Sequence, residues 1–454
     1  GQDYYKRLDK VIEFRVSGDL TLKGKIENMF QQVVYTVNQP AAARGNQSVF
    51  WNIAYFDKYY FEAIFKGFFF PDGDKPCWES VNVLQKLFMK WFNKERTHEV
   101  MTFPVETFNL LNDGNGDYKD KENAEFCAEM LAEGHSFFIY QSDSPDALAS
   151  CCRLRNALEN NEFSYTLGAG GIETGSKGVI TLNLNRIVQD WKNEGCKVTL
   201  KERITEITER VHKYLSAFND IVWDYYNNGM LQIYNEGFIN LDKQFLTIGI
   251  NGFVEGAEFL GYRISPDDEN YKQYAIDILT TIKDLNKRDR QPHCKFNTEF
   301  VPAESLGVKN AKWDKEDGYW VPRDVYNSYF YIVEDTHTTP LEKFELMGKD
   351  FTGCLDGGSA LHMNLDEHLS KAQYEMLMKV AVKDGCNYFT FNIPNTVCND
   401  CGHISKQNLK ACPKCGSTNL DYLTRVIGYL KRVSNFSEAR QREAKRRYYA
   451  DNIQ

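Results

Sequence analysis

Long apolar runs, a secretory leader and an excess of positive charge are all missing from this sequence. No stretch approaches the roughly 18 uninterrupted apolar residues of a membrane helix, and Gly1–Lys10 is charged where a signal peptide would be apolar. The chain is therefore expected to be soluble and cytoplasmic, with no membrane partner. A net charge of −9 argues against wholesale binding to nucleic acid, which needs a basic surface to displace counterions from phosphate. There is no internal repeat and no low-complexity tract. With 42% apolar and 14% aromatic residues, the 454-residue chain has ample material for a buried core. That length allows about two to four domains, or one large barrel with attachments.

Twelve cysteines are present. Disulfide scaffolds belong to small secreted domains, so reduced thiols for metal binding or catalysis are the expectation here. Four cluster near the C-terminus and two are adjacent, Cys151 and Cys152. The others (Cys77, Cys127, Cys196, Cys294, Cys354 and Cys386) are scattered and suit buried small hydrophobes. His337 and His362 suit ordinary packed histidines better than metal ligands.

Apolar residues three and four apart predict helices at Trp78–Phe92, Ile204–Trp223 and Lys371–Val382. Short β-branched and aromatic runs predict strands at Phe137–Tyr140, Gly178–Leu184 and Tyr388–Ile393. Alternation of the two implies an α/β architecture with mostly parallel pairing. Asn112–Glu125 and Lys309–Gly318 are polar and suit surface loops. The basic segment Ser434–Ala450 (SNFSEARQREAKRRYYA) suits a solvated terminal helix, or one that docks on an acidic partner.

Cys398-x2-Cys401 and Cys412-x2-Cys415, ten residues apart and each followed by glycine, form a zinc-ribbon pattern. Each CxxC turn presents two thiolates, and four soft ligands complete the zinc tetrahedron with no open position. The metal is expected to be structural. Thirteen residues after Cys415 stands Gly428 within RVIGY. A glycine in a plain turn is the bland reading. The pattern also looks like the radical site of glycyl-radical enzymes. A radical at an α-carbon is stabilised by delocalisation over a planar centre, and glycine alone has no Cβ to oppose it. The pair in SCCRLRN (150–156) suits two buried thiols. Alternatively, one of them exchanges hydrogen with the glycine, because thiol S–H and glycyl Cα–H bonds are close in strength.

Together these stretches resemble the class III anaerobic ribonucleotide reductases. Further matching segments are NQPAAARG at 38–45, GSKGVITLNLNRI at 175–187, QFLTIGINGFVEGAEFLG at 244–261 and LDGGSALHMNL at 355–365. The resemblance implies a ten-stranded α/β barrel of two antiparallel half-barrels. It implies the thiyl position at Cys152, with Cys151 as the alternative, and the stable radical on Gly428. Ser176 falls where the family places a polar residue near the ribose. Gly357, Gly358 and Ser359 either offer backbone amides to substrate phosphates or form a plain tight turn. The implied reaction removes the ribose 3′ hydrogen, expels the 2′ hydroxyl as water and reduces the sugar. Formate is the implied reductant, and ATP and deoxynucleotides are the implied effectors. An activating partner that uses S-adenosylmethionine and an iron–sulfur cluster and a homodimeric assembly are implied as well. Three parts are expected: a catalytic barrel at 1–393, a ribbon at 394–418 and a radical loop with terminal helix at 419–454. The N-terminal regulatory module and the second active-site cysteine of the family are not found, and Cys77 sits in a helical pattern. Two rivals are an acyltransferase similar to pyruvate formate-lyase, which shares the Cys pair and the glycine but not the ribbon, and a zinc-ribbon nucleic-acid-binding protein.

Overall fold

The computed structural model describes residues 7–40, 48, 50–145, 147–150, 154–157, 175–237, 239–301, 305–425 and 428–451. Eight strands build the body: β1 (Asn52–Phe56), β2 (Val105–Leu111), β3 (Phe138–Ser142), β4 (Gly175–Asn183), β5 (Gln244–Asn251), β6 (Lys295–Glu299), β7 (Leu361–Asn364) and β8 (Tyr388–Asn392). They form a five-stranded sheet, ordered β7-β8-β3-β2-β1, and a three-stranded sheet, ordered β6-β5-β4. All neighbours are parallel except β8 and β3, which run antiparallel. The expected α/β class is present, with one antiparallel seam. Of the expected ten-stranded barrel, the described residues hold eight body strands in two sheets. The sheets meet at the turn before β7, where the Gly357 amide donates to the Thr298 carbonyl (2.8 Å) and Phe300 N–H donates to the Gly358 carbonyl (3.2 Å).

Strand side chains alternate between two faces, and both faces of β2, β3 and β8 are buried. Phe108 and Leu110 of β2, Ile139 of β3 and Phe389 and Phe391 of β8 join the main apolar core under the helices. On the other face Val105, Phe138, Tyr140 and Tyr388 gather with Phe103 and Ala360 into a separate inner cluster, against which Tyr429 packs. Buried on both sides, these strands also carry polar residues inside, among them Glu106, Asn109, Gln141 and Thr390.

The helices used below are α1 (Trp78–Glu95), α2 (Lys121–Ala132), α3 (Leu200–Asn227), α4 (Thr281–Arg288), α5 (Leu306–Glu316), α6 (Lys371–Asp384) and α7 (Glu438–Arg446). Phe88, Met89 and Phe92 form the buried stripe of α1. Capping boxes start α3 (Thr199 with Glu202) and α6 (Ser370 with Gln373), each supplying partners to otherwise orphaned amides. Gly385 (φ 72°) ends α6 in the left-handed region.

Two expected loops contain helix. Within Asn112–Glu125 the turn stops at Asp120, whose side chain caps α2 by accepting from Asn123 N–H. Lys309–Gly318 lies largely on α5. Two of its polar residues, Asn310 and Asp314, are buried by pairing: Asp314 is wholly buried and holds Arg186 (2.7 Å), Asn183 and the Tyr326 hydroxyl. The six scattered cysteines divide. Cys127, Cys294 and Cys386 are buried, Cys77 and Cys354 half-buried, and Cys196 exposed. His362 is packed as expected, whereas His337 is exposed on a surface turn. No helix among the described residues is long and apolar enough to cross a membrane.

The C-terminal region adds a separate, antiparallel sheet. Strands β9 (Asn395–Cys398), β10 (Ile404–Ser405), β11 (Leu420–Arg425) and β12 (Leu430–Arg432) are ordered β10-β9-β11-β12. The ribbon and the segment that follows it therefore share one sheet. After α7 the chain returns to the body, where Ala450 bridges Leu365 beside β7.

Candidate functional site

The four ribbon thiols lie within 4.8 Å of one another. Sγ of Cys398 is 3.6 Å from that of Cys415, and Cys401 is 3.6 Å from Cys412. A tetrahedron with Zn–S bonds of about 2.3 Å has edges of roughly 3.8 Å, so the donor set fits zinc. The two halves are built alike. Gly402 N–H donates to Cys398 O (3.0 Å) and Gly416 N–H to Cys412 O (2.9 Å). Both glycines are left-handed, with φ of 72° and 74°, and a Cβ at either would meet nothing within 4 Å. Backbone conformation, not space, selects glycine there.

Strand β11 links the quartet to the segment beyond it. Its Leu420 pairs with Cys398 of β9, and its last residue, Arg425, pairs with Leu430 of β12 across the turn that holds Gly428. Gly428 is buried. Its carbonyl accepts from Arg425 Nη1, and Arg425 Nη2 donates to Ser136 Oγ (2.9 Å). The same guanidinium lies 4.5 Å over the Phe138 ring, on the inner face of the body. Arg425 N–H donates to Asn392 Oδ1 (3.2 Å) at the end of β8. Beyond the glycine, Tyr429 packs edge-on against Phe50 and at a tilt against Phe103. The turn is thus seated against the inner face of the five-stranded sheet and shielded from water by aromatic rings.

Ser136 is itself held. Arg96 Nη1 donates to its carbonyl (3.0 Å) and pairs with Glu106 (3.2 Å), which also accepts from Tyr55 OH (2.7 Å) and contacts His135 Nε2 (3.0 Å). Burial alone would lift the Glu106 carboxyl, but His135, Arg96 and Tyr55 hold it below its ordinary value. Burial pushes His135 down, so Arg96 carries the balancing charge. Nothing in the sequence signalled Ser136, Arg96 or Asn392, because their partners lie far away along the chain.

The other predicted positions lie on the second sheet and its junction. Ser176, exposed on β4, places Oγ 2.8 Å from Thr247 Oγ1, and Thr247 is 2.7 Å from Asn297 Oδ1. Of the Gly357-Gly358-Ser359 turn, the Gly357 amide is already committed to Thr298, and a Cβ at Gly357 would lie 2.4 Å from that carbonyl. Ser359 Oγ is buried with no hydrogen-bond partner among the described residues. Asp356, missed in the sequence, pins the turn by accepting from Thr298 N–H (2.6 Å) and Asn286 Nδ2 (3.0 Å). Burial raises its carboxyl. Cys151 and Cys152 lie outside the described residues, as do 41–45 of NQPAAARG. The strands flanking the cysteines, Ala147–Ser150 and Leu154–Ala157, pair antiparallel with Ser150 opposite Leu154.

The family model for anaerobic ribonucleoside-triphosphate reductase matches residues 4–449. A solved anaerobic ribonucleotide reductase is similar at 30% identity with a TM-score of 0.83, covering 95% of this chain and 68% of that one. The Thermotoga maritima anaerobic ribonucleotide reductase in complex with dATP and CTP is similar at 30% identity and TM-score 0.79, over 93% and 69%. A glycyl radical enzyme from Archaeoglobus fulgidus is similar at 14% identity and TM-score 0.54, over 87% and 57%, a likeness of fold alone. No curated protein matches the chain.

Proposed function

We propose, from the premise that this chain belongs to the anaerobic ribonucleoside-triphosphate reductase family, that Gly428 is the carbon on which its radical is stored. The chain is an oxidoreductase that reduces ribonucleoside triphosphates by radical chemistry. One observation carries the assignment: Gly428 is buried in the β11–β12 turn, its carbonyl held by Arg425 against the inner wall at Ser136 and Phe138. Burial of that seat keeps water away from an oxygen-sensitive radical.

In this reading the radical carbon takes hydrogen from the Cys152 thiol, with Cys151 as the alternative, leaving a thiyl radical. The thiyl takes the ribose 3′ hydrogen, the 2′ hydroxyl leaves as water, and formate, oxidised to carbon dioxide, supplies the two electrons. Ser176 faces the ribose. Gly358 and Ser359 face the phosphates, since Gly357 has spent its amide. The reductase in complex with dATP and CTP supports nucleotides as both effectors and substrates here. A partner that uses S-adenosylmethionine and an iron–sulfur cluster installs the radical, and zinc on Cys398, Cys401, Cys412 and Cys415 braces the sheet that carries it. We take 1–393 as the catalytic body, with strands beyond the eight described completing its barrel, 394–418 as the ribbon and 419–454 as the radical segment. The exposed stripe Tyr214, Phe218, Ile221 and Tyr225 on α3, spaced four, three and four apart, is the homodimer face.

The acyltransferase-like rival is disfavoured by the family match and by the ribbon; the nucleic-acid-binding rival is disfavoured by the acidic body. The test is anaerobic activation followed by assay of each of the four ribonucleoside triphosphates, with and without formate, alongside electron resonance. A glycyl doublet with deoxynucleotide product supports the reading. An activated chain with no carbon-centred signal overturns it.

A further inference from the structure

The basic C-terminal segment, expected as a solvated helix, buries three charged side chains: Arg440, Glu443 and Arg447 are each less than a tenth exposed. Every donor group of Arg447 is assigned. Nε and Nη2 donate to the two oxygens of Glu443, both at 2.8 Å, and Nη1 donates to the main-chain carbonyl of Arg425 (2.8 Å). Arg440 Nη1 reaches Glu443 from the other side (3.3 Å). Burial alone would raise the Glu443 carboxyl, but the two guanidiniums hold it below its ordinary value.

An apolar side chain would seal the same space without the cost of desolvating an ion pair. A planar guanidinium does what an apolar group cannot: it grips a carboxylate with one edge and a backbone oxygen with its remaining nitrogen. The oxygen it grips is significant. Arg425 O lies three residues before Gly428, and the same residue's N–H is held by Asn392 Oδ1 and its side chain by Ser136 and the Gly428 carbonyl. The base of the grip is firm, since Ala450 N–H donates to Asn364 O (3.0 Å) and Asn392 Nδ2 to Asn364 Oδ1 (2.7 Å).

We propose that Arg447, locked by Glu443 and Arg440, is a positioning residue for the radical turn: it fixes the main chain at Arg425 and so the place of Gly428 relative to the hydrogen-donating thiol. The proposal rests on the radical assignment to Gly428. Hydrogen transfer between carbon and sulfur falls steeply with separation, and a misplacement of about 1 Å can cost on the order of 100-fold in rate.

The experiment compares Arg447→Gln and Arg447→Lys with wild type and with Arg442→Gln, which removes an exposed charge of the same helix paired to Asp324. Glycyl spins per chain are counted by electron resonance, and kcat and KM are measured on the same samples. Lysine keeps a cation for Glu443 but, with one nitrogen on a flexible stem, loses the rigid fork that fixes carboxylate and carbonyl together. The expected result is spin yield within about twofold of wild type in both Arg447 variants, with turnover per spin lowered about 10- to 100-fold at unchanged KM. Arg442→Gln should match wild type. Turnover per spin within twofold of wild type in Arg447→Lys would overturn the proposal. So would a loss of spins equal to the loss of activity, which marks a folding or activation role. If Arg447→Gln does not fold, Arg447→Lys decides alone. Absence of a doublet in wild type would instead sink the radical assignment itself.

Discussion

The zinc ribbon and the inner wall of the body reach comparable order by opposite means. In the ribbon, the cysteines of each turn have two residues between them, and ten residues separate the two turns, so the geometry follows from the local chain. In the wall, Arg425 meets Ser136 across 289 positions and Thr107 meets Tyr388 across 281. Neither contact has any local trace. Local constraints announce themselves by spacing, and distant ones appear only after the fold has formed. The Gly428 turn stands where the two regimes join, with β11 held by the ribbon on one side and by the wall on the other.

Breaking the join itself should have the largest effect. Gly428→Ala is expected to abolish both the glycyl doublet and turnover, and persistence of the doublet would remove Gly428 from its role. In wild type, air should cut the activated chain at that residue and release a piece of about 26 residues (454 − 428), read by mass spectrometry. Next comes the proposed thiol: Cys152→Ser should keep the doublet yet lose turnover to background. Normal turnover in that variant would pass the role to Cys151.

Attacking the local side alone should be milder. Zinc chelation, or Cys401→Ser, is expected to lower radical yield several-fold while far-ultraviolet dichroism of the body barely changes, because structural metal energy is local folding energy. Equal loss of both would mean that ribbon and body fold as one unit. Attacking the distant side through Asp356→Ala removes two charge-assisted hydrogen bonds at the sheet junction. At about 1.5–3 kcal/mol each, their loss should lower the melting temperature and raise KM for nucleotide about tenfold or more. An unchanged KM would detach the glycine turn from substrate.

The smallest effect concerns how ribbon and body touch. Lys406, between the ribbon ligands, reaches Asn93 and the Glu133 carbonyl of the body. Burial, with the Arg96 charge, pushes its amine down to about 8. Its folded pKa is below the unfolded value near 10.4. The unfolded chain therefore holds more protons in that interval, and stability should rise as pH climbs from about 8 towards 10. Lys406→Met should flatten that slope in thermal melts; an unaltered slope would assign it to other groups.

How much was legible follows the same division. The quartet, the RVIGY glycine and the three periodic helices carried their own signals, and the strands at 138–142, 175–183 and 388–392 showed as apolar runs. The segment 309–318 misled because Asp314 and Asn310 look solvated in sequence yet are buried by partners more than fifty residues away. Arg440, Glu443 and Arg447 misled for the same reason. A run of charges suits a wet surface unless a carboxylate and a carbonyl wait beneath it. Asn392, Ser136 and Asp356 gave no sign at all, since a single polar residue at a strand end has many ordinary uses.

One consequence of the shared sheet remains. Strand β11 is zipped to β9 over four residue pairs on the metal side but to β12 over only three on the glycine side. If the proposed activation draws the glycine outward, the shorter seam is the one to open, and the longer one keeps the strand anchored.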